Sequence, residues 1–175
     1  MLKEIKTDIY HLLHPKMAFF LTSISKDGRP NVMTCAWSTP VSEEPPIVLV
    51  CVSKESLTAE LIKQSKEFVI NIPDKKLLSA LWTCGKTSGR DADKFAKAKL
   101  KKIYSNYLKT PKISDCIGYI ECKLWKAIET GECYSFFGKV VNAEVDTIYF
   151  EKGLWKEEAE IPYHLGGSKM VYCRS

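Results

Sequence analysis

Two short stretches carry the residue types that grip phosphate. Cys84 to Phe95 reads CGKTSGRDADKF, and Ser53 to Thr58 reads SKESLT. The first could be a P-loop, which needs a glycine five residues before the one that precedes its lysine, and a strand leading in. Here that position is Ala80, inside a helical pattern with no strand before it, so the P-loop reading fails and Gly-Lys-Thr is incidental. What remains is Ser88-Gly89-Arg90: a hydroxyl, a flexible backbone and a guanidinium ahead of a helix start, where an anion is favourably placed. The plain alternative is a tight turn with Arg90 paired to Asp91 or Asp93. SKESLT lies between a strand end and a helix N-terminus, and offers either a cradle for one phosphate monoester or ordinary helix capping.

The other reactive side chains give less. His11 and His14 lie one turn apart, but no third ligand is near them in sequence, which argues against a metal site. His164, ahead of Gly166-Gly167, sits where a loop side chain could reach a cleft. Cys51 and Cys84 could be reactive thiols, although such cysteines more often only pack. The seven cysteines are odd in number, form no CxxC and suit a reducing cytoplasm with mostly buried thiols; Cys116 and Cys122, the closest pair, would share one strand face.

At 175 residues, with 45% hydrophobic and 27% charged, the chain reads as a single domain, 1–175. The net charge of +5 rests on lysine, since Arg29, Arg90 and Arg174 are the only arginines. A lysine-rich, arginine-poor surface gives no indication of nucleic-acid reading. The cluster from Lys94 to Lys102 reads as a solvated helix face, or as weak steering of an anionic cofactor. No apolar run is long enough for a membrane span, and the N-terminus lacks a cleavage region, reading instead as an amphipathic helix stopped by Pro15.

The elements that must position these residues are mostly strands. KMAFFLTSIS and NVMTCAWST flank Asp27-Gly28, a hairpin signal. In the second strand Val32, Thr34, Ala36 and Ser38 face one way, and Met33, Cys35 and Trp37 the other. IVLVCVS reads as a strand buried on both faces, followed by a helix capped at Ser56 and a strand FVINI, the one place that suggests a βαβ unit. LLSALWTCG is helical to about Gly85, and a second helix starts at Ser88 or Asp91. From Cys116 long alternating strands return, which suggests a closed or nearly closed antiparallel barrel.

Taken in order, NVMTCAWSTPVS, PPIVLVCVSKESLTAELIKQSKEFVINIP, CGKTSGRDADKF, ETGECYSFFGKVVNAE and YHLGGSKMVY resemble the flavin reductase-like family of FMN-binding split-barrel proteins, flavoredoxins and small ferric reductases among them. The resemblance runs from about Pro15 to Tyr172. It implies a mainly β split barrel with a few peripheral helices, forming a homodimer with FMN at the interface. It places Asn31, Met33, Thr34, Cys35, Ala36, Trp37 and Ser38 along the flavin ring, and Ser53, Lys54, Ser56 and Thr58 around the phosphate. Cys84, Ser88, Gly89, Arg90 and Lys94 are implied near the phosphate, the ribityl chain or the partner subunit. Two departures stand out. Relatives often carry arginine where this chain has Ser56 or Leu57, so Lys54 or Arg90 must supply charge. Relatives also often carry histidine where this chain has Cys133, which with His164 marks the possible nicotinamide side. The implied function is an FMN-dependent oxidoreductase using NAD(P)H or a protein donor, without membrane or nucleic-acid partners. The alternatives are an electron carrier that does not oxidise NAD(P)H itself, and a non-catalytic flavin-binding dimer.

Overall fold

The structure is a computed structural model and describes residues 2–172. Cys173 and Arg174 lie outside them. The N-terminal helix predicted from the sequence is one 3-10 turn, Ile9–Leu13, with no buried residue, and it ends ahead of Pro15.

Strands β1 (Lys16–Met17), β2 (Phe19–Ile24) and β3 (Pro30–Cys35) come next, β2 and β3 forming the predicted hairpin. Two residues after β3, the strand β4 (Ser38–Ser42) begins, so the stretch read as one strand is two. Strand β5 (Ile47–Ser53), helix α1 (Leu57–Ser65), strand β6 (Glu67–Ile72), helix α2 (Leu78–Lys86) and helix α3 (Lys94–Lys97) follow. The short β7 (Lys102–Ile103) and β8 (Lys112–Ile113) pair with each other, and the long β9 (Gly118–Thr130) and β10 (Cys133–Val145) form a hairpin. After the small hairpin β11 (Phe150–Glu151) and β12 (Leu154–Trp155), β13 (Pro162–Gly166) lies between β1 and β14 (Lys169–Tyr172).

Seven strands make one antiparallel sheet in the order β3-β2-β6-β9-β10-β5-β4. Its two outermost strands are separated along the chain only by Ala36 and Trp37, so the sheet must roll until its edges approach. The β4–β5 ladder runs one position past Ser38, where the Cys51 N–H donates to the Trp37 carbonyl at 2.9 Å. The product is a split β-barrel with peripheral helices. Strands β5 and β6, which flank α1 in the chain, run antiparallel with β9 and β10 between them, so there is no βαβ unit.

Burial follows the pleat. Phe19 and Leu21 of β2 point into the barrel with Val50, Val52, Phe68 and Phe136, while Phe20 packs outward against Ala80 and Leu81 of α2 and Phe95 of α3. In β5, Val50 and Val52 are buried but Leu49 and Cys51 are only half-buried, so the strand keeps an outward face instead of being buried on both. Cys116 precedes β9 and packs beneath α2; Cys122 lies inside the barrel, so the two do not share a strand face. The second helix is a single turn. Its cap is Asp93, accepting from the Phe95 and Ala96 N–H groups at 2.9 and 3.2 Å, and not Ser88 or Asp91. Among the described residues no helix is long and apolar enough to cross a membrane.

The barrel closes tightly around Gly138, where the β9–β10 register shifts. A Cβ there would stand 2.5 Å from Phe68 Cζ and 2.7 Å from Cys122 Cβ. Gly138→Ala is expected to cost about 1–3 kcal/mol, read as a fall of roughly 2–4 °C per kcal/mol in the thermal midpoint. An unchanged midpoint would show that the strand yields freely at this point.

Candidate functional site

The site is built where β3, α1 and the loop before α3 converge. Asn31 Nδ2 donates to Thr58 Oγ1 at 2.9 Å, with both residues buried. The Thr58 hydroxyl thus accepts one bond and keeps its own proton to give. Ser56 Oγ accepts from the Ala59 N–H at 3.1 Å and donates to the Ser53 carbonyl at 2.8 Å, so its hydroxyl is spent on capping. The Leu57 and Thr58 N–H groups, in the first turn of α1, have no intrahelical acceptor.

The loop residues fold onto this joint. Ser88 Oγ accepts from the Arg90 N–H at 3.1 Å. A Cβ on Gly89 would lie 2.2 Å from Asn31 Oδ1, so only glycine lets the loop rest on Asn31. Arg90 pairs with Glu60 of α1 at 3.0 Å, not with Asp91 or Asp93. Lys94 is only 6% exposed although its neighbours Lys97, Lys99, Lys101 and Lys102 are solvated as expected. Its ammonium donates to the Cys84 carbonyl at 3.3 Å and has no carboxylate within ion-pair distance among the described residues. Desolvation pulls the Lys94 pKa down, with Cys84 opposing. Burial pushes the Cys84 thiol up to about 11 against the pull of Lys94, so it is protonated at neutral pH.

Two adjoining cavities of about 290 Å³ each form a cleft, sharing Thr34, Gly85 and Lys86. The polar cavity is lined by Asn31, Met33, residues 55–58, Cys84, residues 87–90 and Lys94. The other is lined by Ala18, residues 35–37, Trp82, His164, Gly167, Ser168 and Met170. A buried unpaired cation therefore marks one end and an aromatic, largely apolar wall the other.

Most of the expected ring-side residues are here, with different roles for some. Thr34 spends its hydroxyl on the Leu81 carbonyl at 2.6 Å, tying β3 to α2. The Cys35 side chain turns into the barrel core, where burial raises its thiol to about 12. Four expected residues lie elsewhere in their own chain. Ser38 borders a separate cavity of about 210 Å³ with Tyr10, Leu13, Trp37, Leu49 and Cys51 on the outer face of β5. Ser53 is exposed and stands across from Cys133, Lys54 is ion-paired with Glu129, and none of these three lines the cleft.

Three features escaped the sequence reading. Gly85, Lys86 and Thr87, set aside with the failed P-loop, line the cleft after all. Trp82 joins them, with the Lys86 ammonium 5.1 Å from its ring centroid. The spacing of Trp82, Gly85 and Lys86 puts them on one face of α2 and was the available signal. The fold also supplies the third histidine missing from the local sequence: His164 Nδ1 lies 3.2 Å from His14 Nε2, while His164 Nε2 donates to the Gly167 carbonyl at 2.9 Å. Even so, no group of three or more ligating side chains among the described residues is arranged to hold a metal ion.

Comparison with known proteins adds to this geometry. The sequence model of the flavin reductase like domain matches residues 11–162. An uncharacterised Escherichia coli K12 protein, YddH, is 33% identical over 180 aligned positions, covering 98% of this chain and 95% of its own. Flavoredoxin of Desulfovibrio vulgaris superposes with a TM-score of 0.86 at 25% identity, covering 100% of this chain and 94% of its own. Nitrilotriacetate monooxygenase component B from Bacillus cereus gives 0.86 and 25%, covering 100% and 96%.

The buried cation has a measurable consequence. Lys94→Met keeps the aliphatic stem and removes a desolvated charge, so the ligand-free chain is expected to hold or gain stability, by up to about 1–3 kcal/mol. Denaturant unfolding checks this. A clear loss of stability would mean that the bond to the Cys84 carbonyl outweighs desolvation.

Proposed function

The chain belongs to the flavin reductase like family, and from that premise we propose that it binds FMN and acts as an oxidoreductase, passing electrons from NAD(P)H or a protein donor to a flavin, ferric or protein acceptor. The observation that carries this reading is the buried Lys94 ammonium, unpaired by any carboxylate among the described residues, at one end of a cleft whose other end is aromatic and apolar. A phosphate monoester joined to a flat ring system has the same polarity. The names of two of the similar structures, flavoredoxin and a monooxygenase component, are in keeping with it.

The residues present fit that ligand. Lys94, the Thr58 hydroxyl and the first-turn N–H groups of α1 would hold the phosphate, with Arg90 in support. The β3 edge that faces away from β2 would offer backbone amides to the ring. Trp37, Trp82 and Met170 would exclude water on the ring side. Bound flavin accepts a hydride or single electrons, and the protein sets its potential through hydrogen bonds and nearby charge.

A second copy of the chain completes the proposal. The half-buried Leu49 and Cys51 and the exposed Leu13, beside the outer cavity, suit a homodimer in which the partner covers the cleft mouth. A second reading, a carrier that is reduced by another protein and does not oxidise NAD(P)H, is favoured by Cys133. The family often has histidine there, whereas burial and Glu132 raise the Cys133 thiol pKa.

Purified protein should show the absorption bands of oxidised flavin or take up FMN on titration, and a colourless chain that binds none would end the proposal. Thr58→Val is expected to weaken FMN binding by roughly 1–3 kcal/mol; unchanged affinity removes Thr58 from the site. Stopped-flow mixing of the FMN-loaded protein with NADH and NADPH separates the two readings. Rapid bleaching identifies an enzyme, and reduction by dithionite alone identifies a carrier.

A further inference from the structure

The N-terminal turn and the last hairpin meet through histidines. His14, which ends the Ile9–Leu13 turn, faces His164 of β13, with His14 Nε2 3.2 Å from His164 Nδ1 and the rings inclined at 76°. Two imidazole nitrogens held about 2.0–2.1 Å from one tetrahedral ion stand about 3.3 Å apart. The pair therefore has the separation of two ligands on a common ion as well as that of a hydrogen bond.

The tautomers allow the ligand role. A carbonyl oxygen only accepts, so the 2.9 Å contact with Gly167 puts the His164 proton on Nε2 and leaves a lone pair on Nδ1. A backbone carbonyl on the far nitrogen is also what orients a metal-bound histidine. His14 Nδ1 is buried without a partner, so no bond on that side keeps the His14 proton on Nε2. The outer torsion of a histidine is broad, and small ring rotations bring both lone pairs onto one point beside the N···N line. Lys16, opposite His164 in the ladder, lines the outer cavity with Tyr10 and Leu13. His11 lies against Gly166, where a Cβ would stand 3.1 Å from its Cδ2, so it packs and does not ligate.

We propose that His14 and His164 together bind one divalent transition-metal ion of the kind that imidazole suits, such as Zn²⁺, with water in the remaining positions. The ion pins the N-terminal turn, which buries no residue of its own, to β13. Tyr10 of that turn packs on Trp37 with ring centroids 5.4 Å apart, and Trp37 and His164 both line the apolar end of the cleft, so the ion stiffens that wall. No flavin is needed for it to bind.

Isothermal titration of the chelator-stripped, tag-free full chain with Zn²⁺ tests this. One equivalent is expected to bind with a Kd below about 100 µM. His14→Gln and His164→Gln are each expected to weaken binding at least about tenfold, whereas His11→Gln should keep it within about twofold. Unchanged thermal midpoints of the metal-free variants would confirm their folds. In the parent chain, with no substitution at all, long-range ¹H–¹⁵N spectra should show the ring nitrogens of His14 and His164 shifting with one equivalent of Zn²⁺. Absence of binding up to about 1 mM Zn²⁺ would overturn the proposal and leave the pair a hydrogen bond only. Binding that survives both histidine substitutions would overturn it too, assigning the ion to half-buried thiols such as Cys51 and Cys133. Either of these results leaves the flavin reading standing.

Discussion

Two residues, Ala36 and Trp37, join the opposite edges of a seven-stranded sheet. A connection that short cannot span an open sheet, in which neighbouring strands lie about 4.8 Å apart, so the sheet has to roll. Rolling puts Phe19, Leu21, Val50, Val52, Phe68 and Phe136 on the inside, and their burial repays the curvature. It also turns the outer face of β2 and β3 toward α2, where Phe20 and Val32 meet Ala80 and Leu81. The cleft is the space left at that margin. The joining residues themselves line its apolar end.

The polar end depends on a smaller joint. Asn31 touches three elements at once: it lies on β3, bonds Thr58 of α1, and receives Gly89 against its own carbonyl oxygen. Any side chain at position 89 would push the loop away and carry Ser88 and Arg90 with it. Lys94 is placed by the same loop. Burying an ammonium beside a carbonyl alone costs free energy in the empty protein, and Asp93 holds it there by fixing the first turn of α3. Local order is thus spent on holding a charge where an anion can offset it.

Much of this was legible in the sequence, and the gaps have physical reasons. The hairpin at Asp27-Gly28, the cap at Ser56 and the barrel class follow from local rules, which act over a few residues. The break at Ala36-Trp37 was hidden because the alternation read from Val32 runs on through Ser38, and nothing local marks where a strand changes sheet edge. Lys54 looked like the phosphate cation because it sits in SKESLT, yet its side chain is drawn to Glu129 on β9, 75 residues away. By composition Lys94 was one lysine of a solvated cluster, and the family resemblance alone put it near a phosphate. Only tertiary packing beneath Cys84 distinguishes it. Trp82 and Lys86, four residues apart on α2, share a face that helical spacing makes readable.

The same environment decides what the protein can do without help. Cys84 and Cys35 are held protonated, at about 11 and about 12, by burial, so neither supplies a thiolate to the cleft at neutral pH. The imidazole of His164 is engaged at both nitrogens, by Gly167 and by His14. Ser56 is spent on its helix and Thr34 on α2. What remains free is the equipment of a holder: a hydroxyl proton at Thr58, first-turn amides, a buried cation and aromatic walls. Groups of that kind orient a ligand and tune its charge.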